Sequence, residues 1–123
     1  MAHEQVKNKT AAIREAILAA QDLAFEDMEI LGVTVRINEL TAIRGQEFNK
    51  ATKGMDGERR LCALIVFTVT DPESGDPVFT MEDVEPLMEK SEGTILTLAQ
   101  KAMRLNGMKG GEEEGEAGAE NLK

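Results

Sequence analysis

Chemistry in a chain of 123 residues has to come from a handful of side chains. His3 is the single histidine, close to the N-terminus, and one terminal imidazole cannot serve Ser-His-Asp or Cys-His relays or most catalytic zinc sites. Cys62, the only cysteine, lies inside the apolar run Leu61-Cys62-Ala63-Leu64-Ile65-Val66-Phe67-Thr68-Val69. A thiol among aliphatic side chains stays protonated and behaves as a small hydrophobe. Asp71, Glu73 and Asp76 alternate like the start of a calcium loop, but Val78 and Phe79 follow and no bidentate Glu closes it, so these are turn residues. Glu82, Asp83 and Glu85 fall on the first turn of an expected helix, where the dipole and the cap account for them. Gly54 and Gly57 have neither the preceding strand nor the lysine of a phosphate loop. The expectation is a non-enzymatic protein with no catalytic residue, no metal site and no cofactor, which acts by contact.

Contact surfaces depend on the elements that carry them. Thr10 to Gln21 is rich in helix formers, and Ile13, Ile17 and Ala20 recur at helical spacing, which predicts an amphipathic helix with Thr10 as its cap. From Met28 the period changes to two. Val33, Val35 and Ile37 alternate with Thr34, Arg36 and Asn38, a half-buried strand, and Gly32 marks either a tight turn back to Met28–Ile30 or a bulge. Thr41 reads as the cap of a helix running to about Thr52, followed by the loop Lys53-Gly54-Met55-Asp56-Gly57. The run 61–69 is core, and periodicity alone leaves helix and strand open. Asp56 as a cap favours helix first, and the β-branched residues then favour a strand over Phe67–Thr70. Asp71-Pro72-Glu73-Ser74-Gly75-Asp76-Pro77 turns the chain back into a short strand at Val78-Phe79. Phe79-Thr80-Met81-Glu82-Asp83-Val84 is a capping box with a hydrophobic staple, starting a helix that runs to about Lys90 with Pro86 loosening its first turns. Ser91 caps a last helix with the stripe Ile95, Leu98, Ala99, Ala102 and Leu105, stopped at Gly107.

These elements make an α+β, mainly α fold: a small helical domain with a short N-terminal β segment or hairpin and a short central hairpin before two C-terminal helices. The expected organisation is a flexible N-terminus over 1–9, one globular domain over 10–108, and a disordered acidic Gly/Glu-rich tail over 109–123. Four Phe and no Trp or Tyr make the core aliphatic. The formal charge of −9 argues against nucleic acid, which needs Lys and Arg along its phosphates, and against an anionic membrane surface. No apolar run approaches the length of a membrane span, and the N-terminus lacks the basic-then-apolar order of a signal peptide, so a cytoplasmic protein is expected. Met81, Met88, Met103 and Met108 could supply an adaptable binding surface. The bet for contact residues is the edge and exit of the last helix, Leu96, Met103 and Met108.

Three stretches resemble the tail assembly chaperones of long-tailed phages and prophages. They are the β segment from Asp27 through Gly32 to the Glu39-Leu40-Thr41 helix entry, the apolar run leading through Ser74-Gly75 to Pro77-Val78-Phe79-Thr80-Met81-Glu82-Asp83-Val84, and the final helix from Ser91 to Met103-Arg104-Leu105-Asn106-Gly107-Met108. Two positions depart from the pattern. Leu31 stands where an aromatic is expected before the glycine, and Pro86 interrupts a helix that is usually clean. The resemblance implies binding of the tape measure protein to keep it soluble, recruitment of tail tube protein, self-association, and action in the bacterial cytoplasm rather than in the mature virion. The competing reading is an acidic regulator that mimics DNA on the basic site of a nucleic-acid-binding protein. Salt separates the two, because a charge-driven contact weakens steeply with ionic strength and an apolar one does not.

Overall fold

The computed structural model describes residues 2–108, with side chains from residue 8 onward. Both the acidic tail and the His3 side chain lie outside the described residues. The chain opens with helix α1 (Ala2–Ala19) and then forms the hairpin strands β1 (Phe25–Ile30) and β2 (Val33–Asn38). Helices α2 (Ala42–Ala51) and α3 (Gly57–Thr68) follow, then the two-residue strand β3 (Val69–Thr70). A 3-10 turn (Met81–Asp83) leads into α4 (Val84–Met88), and α5 (Glu92–Leu105) completes the domain.

The hairpin closes through Leu31-Gly32, with Ile30 opposite Val33 and Phe25 opposite Asn38. Both turn residues have positive φ, 53° and 83°, as a tight two-residue hairpin turn requires. The turn at Gly32 is therefore the right alternative to a bulge. Pairing begins at Phe25, three residues earlier than the sequence pattern indicates, because Glu26 finds a partner on α5 and Asp27 one on the neighbouring strand. Glu26 bonds Lys101 Nζ of α5 (2.7 Å), and Asp27 takes a two-pronged bond from Arg36 (2.7 and 3.1 Å). Arg36 also lies over the Phe25 ring at 4.0 Å, so the outer face of the hairpin is fastened without apolar burial.

The inner face lies on helices. Ile37 is fully buried, with Met28, Ile30 and Val35 packed beside it. Opposite stand α3 and α5, brought close by Ala63, Ala99 and Ala102, none of which exposes any surface. Helix α3 is buried on nearly every side from Cys62 to Val66, which explains why its sequence shows no periodicity. Its helical turns continue to Thr68, and the Val69 N–H still donates to the Ile65 carbonyl. The strand expected over Phe67–Thr70 shortens accordingly to Val69–Thr70. Staying helical directs Phe67 at α2, where its ring meets Phe48 edge-on at 5.5 Å. Such pairs add about 0.5–1.5 kcal/mol beyond area burial.

The central hairpin is minimal. Thr70 pairs with Pro77 as a single bridge and the Val78 N–H reaches the Val69 carbonyl at 3.3 Å, so Val78 and Phe79 form no ladder of their own. Pro77 has no N–H to extend it. Caps sit where sequence chemistry puts them. Thr41, Asp56 and Ser91 accept from the N–H groups of Arg44, Arg59 and Thr94 at 3.1, 2.8 and 3.1 Å, each contributing about 1 kcal/mol. Before α4 the Thr80 N–H donates to Asp83 Oδ2 at 2.8 Å. With Pro86 inside it, α4 ends at Met88 rather than Lys90, and the Glu89 and Lys90 N–H groups bond the Pro86 and Leu87 carbonyls in tightened turns. The last helix stops in a Schellman motif, Met108 N–H to the Met103 carbonyl (2.8 Å) and Gly107 N–H to the Arg104 carbonyl (3.2 Å), with Gly107 at φ 65°.

Helix α1 departs most from expectation. It runs from Ala2, so Thr10 is an interior position and not its cap, and every described residue from Asn8 to Ala24 is exposed. The amphipathic pattern is present, but none of the described residues covers it.

Candidate protein-binding site

The contact residues read from the sequence fall on the seam between α3 and α5. Leu96, Met103 and Met108 are all half-buried rather than fully exposed. Met103 and Met108 come together in a depression of about 370 Å³ shared with Phe48, Leu61 and Leu64. Leu96 lies two helical turns before Met103 and lines a second depression of about 200 Å³ with Leu61, Met88 and Ile95. Leu61 borders both, so the three residues line one side of the α3–α5 seam without forming one pocket. Charged groups edge this face, Glu58, Lys90 and Glu92 at one end and Arg60 at the other. Arg60 is held there by Thr52 Oγ1 (2.9 Å) and lies 5.0 Å over the Phe48 ring.

A second concavity escaped the sequence reading. Between the inner face of the hairpin and α4–α5 lies a groove of about 320 Å³ whose surface is almost wholly apolar. Ile30, Leu31 and Val33 form one wall, Val78 and Phe79 a second, and Leu87 with Leu98 the floor. Leu31 at 74%, Val33 at 57% and Val78 at 46% are among the most exposed large aliphatics of the domain. The sequence signs were there, in a leucine at a position suited to Asn or Gly and a valine after the turn Pro, but period-two patterning reads such residues as core-facing.

Polar side chains are engaged in holding elements together. Asn106 Nδ2 donates to the Ala102 carbonyl (2.9 Å) and its Oδ1 accepts from the Leu40 N–H (2.8 Å), tying the exit of α5 to the entry of α2. Asn38 Nδ2 likewise bonds the Thr68 carbonyl (2.9 Å) and Thr70 Oγ1 (2.8 Å), pinning β2 to the end of α3. Arg59 grips Glu85 at 2.6 and 3.0 Å and Asp56 at 3.0 Å, bridging α3 to α4. The Arg59 side-chain bonds hold the Glu85 carboxyl below its ordinary range, and the Arg59 backbone N–H, then its side chain, does the same for Asp56. Arg36 lowers Asp27 in the same way. Burial, with the nearby Glu58 and Glu85 charges, pushes the Cys62 thiol up, away from the thiolate a nucleophile needs. Among the described residues no group of three or more His, Cys, Asp and Glu could hold a metal ion. No helix among them is long and apolar enough to cross a membrane.

No protein-family model matches the sequence, and no curated protein matches it. Among solved structures the chain has a distant structural match to the tail assembly chaperone of bacteriophage HK97, with a TM-score of 0.49 and 17% identity over 76% of this chain and 96% of that one.

Proposed function

We propose that this chain is a phage tail assembly chaperone that binds the tape measure protein, keeps it soluble and helps recruit tail tube protein during tail morphogenesis, in the host cytoplasm. The observation that carries the reading is the apolar seam of α3 and α5, where Leu96, Met103 and Met108 flank Leu61 on a face that no described residue covers. A shallow trough between two packed helices accepts the apolar side of a third. Two methionines at one end let it repack around varied sequences, as a chaperone for a long repetitive helix requires. The choice of partner follows the three stretches that resemble this family, two of which, the apolar run leading to Val84 and Ser91–Met108, supply most of α3 and all of α5.

Co-expression with the tape measure protein tests it. The intact chain is expected to keep that protein in the soluble fraction, and Leu96→Lys combined with Met103→Lys to lose this effect while melting within a few degrees of the parent. A folded double variant that solubilises the tape measure protein as well as the parent would sink the assignment of this face.

A further inference from the structure

Besides the α3–α5 seam, two apolar surfaces are left uncovered by the described residues. The first is α1. At about 100° per residue, Ile17 lies about 40° round the helix from Ile13, Arg14 borders the pair on one side and Lys9 on the other, and Glu15 points about 160° away. Ile13 is 53% exposed and Ile17 67%. The helix is an apolar stripe edged by cations. Residues 2–19 hold three basic residues against two acidic, whereas residues 20–108 hold nine against sixteen, a net of −7. A net-positive helix thus projects from a net-negative body.

The second surface is the groove beside the hairpin. Leu31 at its rim combines high exposure with φ 53°, a backbone region that disfavours leucine. Backbone strain of this kind clusters at sites that hold a ligand or a partner. Asp83 and Lys90 line the groove, Glu82 and Glu89 stand next to them in the chain, and Glu85 is already paired with Arg59.

We infer that α1 of one copy lies in the hairpin groove of a second copy, with Ile13 and Ile17 against Leu31, Val33 and Val78 and with Lys9 and Arg14 facing the acidic α4 side. Its own groove is the poorer receptor. Ala24 is tied to Glu39 by hydrogen bonds of 2.8 and 2.9 Å at the open end of the hairpin. Six-residue strands put the turn about 20 Å from there, and the four free residues Ala20–Leu23 span at most about 14 Å. With a rise of about 1.5 Å per helical residue, Ile17 would reach its own hairpin tip only with that link pulled nearly straight, a restriction a second copy does not share. The contact joins different surfaces of the two copies, so it repeats head to tail and each added copy offers a new helix and a new groove.

The inference deepens the self-association expected of a tail assembly chaperone, and its test is independent of tape measure binding. Sedimentation of the full chain over a range of concentrations is expected to show association growing beyond a dimer. Ile17→Glu on the helix and Val33→Glu in the groove are both exposed changes, and each is expected to weaken association at least about tenfold. Mixed together, the two variants should form one-to-one dimers and stop, because one keeps a good groove and the other a good helix. A monomeric parent would overturn the inference, including one in which labelled Ile17 methyls contact their own Val33. So would variants that associate like the parent, or a mixture that stays monomeric. The tape measure assay reads Leu96 and Met103, on another face, so failure of either proposal leaves the other standing.

Discussion

Leu31 carries a cost that its neighbours do not explain. The left-handed region penalises a side chain with a Cβ by about 1–2 kcal/mol, and exposing leucine gains nothing in return. Leu31→Asn would create an Asn-Gly pair, the preferred sequence for this turn. The expected outcome is a melting temperature raised by several degrees, about 4–8 °C per kcal/mol for a domain of this size, together with weaker self-association. Stability and assembly moving in opposite directions in one variant would show that the strain serves the groove. Asn106 represents the reverse case, a polar side chain whose loss leaves the half-buried Leu40 N–H unpartnered, and Asn106→Ala is expected to cost about 1–3 kcal/mol in urea titration. Cys62 is inert for a physical reason. Burial raises its pKa, so the stability tied to its neutral form is complete below the unfolded value of about 8.5 and is lost as pH rises through the higher folded value. Native protein should resist thiol reagents at neutral pH, and Cys62→Ala should flatten the alkaline fall in stability.

Helix ends and the hairpin turn were legible in the sequence because each is decided by one or two side chains: Thr41, Asp56 and Ser91 at the caps, Gly32 and Gly107 at the positive-φ positions. Lengths were less legible because they depend on partners across the fold. Phe67 stays helical to meet Phe48, and β1 extends to Phe25 because Arg36 and Lys101 engage its acids. The hairpin groove was invisible for the same reason, since alternation marks Val33 and Val35 as alike while only the packed helices decide that Val35 is half-covered and Val33 is not. The α3–α4 joint makes an element-scale prediction. Asp56 and Glu85 both have depressed pKa values from Arg59, so their contribution is present above the unfolded carboxyl values of about 4 and disappears as pH falls through the folded ones. Arg59→Ala should lower the urea midpoint at neutral pH and leave a shallower further decline in acid than the parent shows.

For the whole molecule, the proposed division of work between two faces sets apolar surface against charge, and salt tells them apart. The seam around Leu61 is apolar at its centre with charges of both signs at its ends, so a tape measure helix docked there loses little when ions screen the rim. The inferred α1-to-groove contact would set cations on the stripe edges against a body of net −7, so added salt would first weaken it by screening attraction and leave the apolar part intact. Raising ionic strength from about 0.05 M to 0.5 M shortens the screening length from roughly 14 Å to 4 Å. Over that range self-association should fall several-fold and solubilisation of the tape measure protein should hold nearly constant. Arg14→Gln, which neutralises the helix, should remove most of the salt response of self-association while leaving tape measure solubilisation unchanged. Equal salt sensitivity of both activities would mean that one charged surface performs both tasks, as an acidic regulator on a basic partner would, and the division into two faces would be wrong.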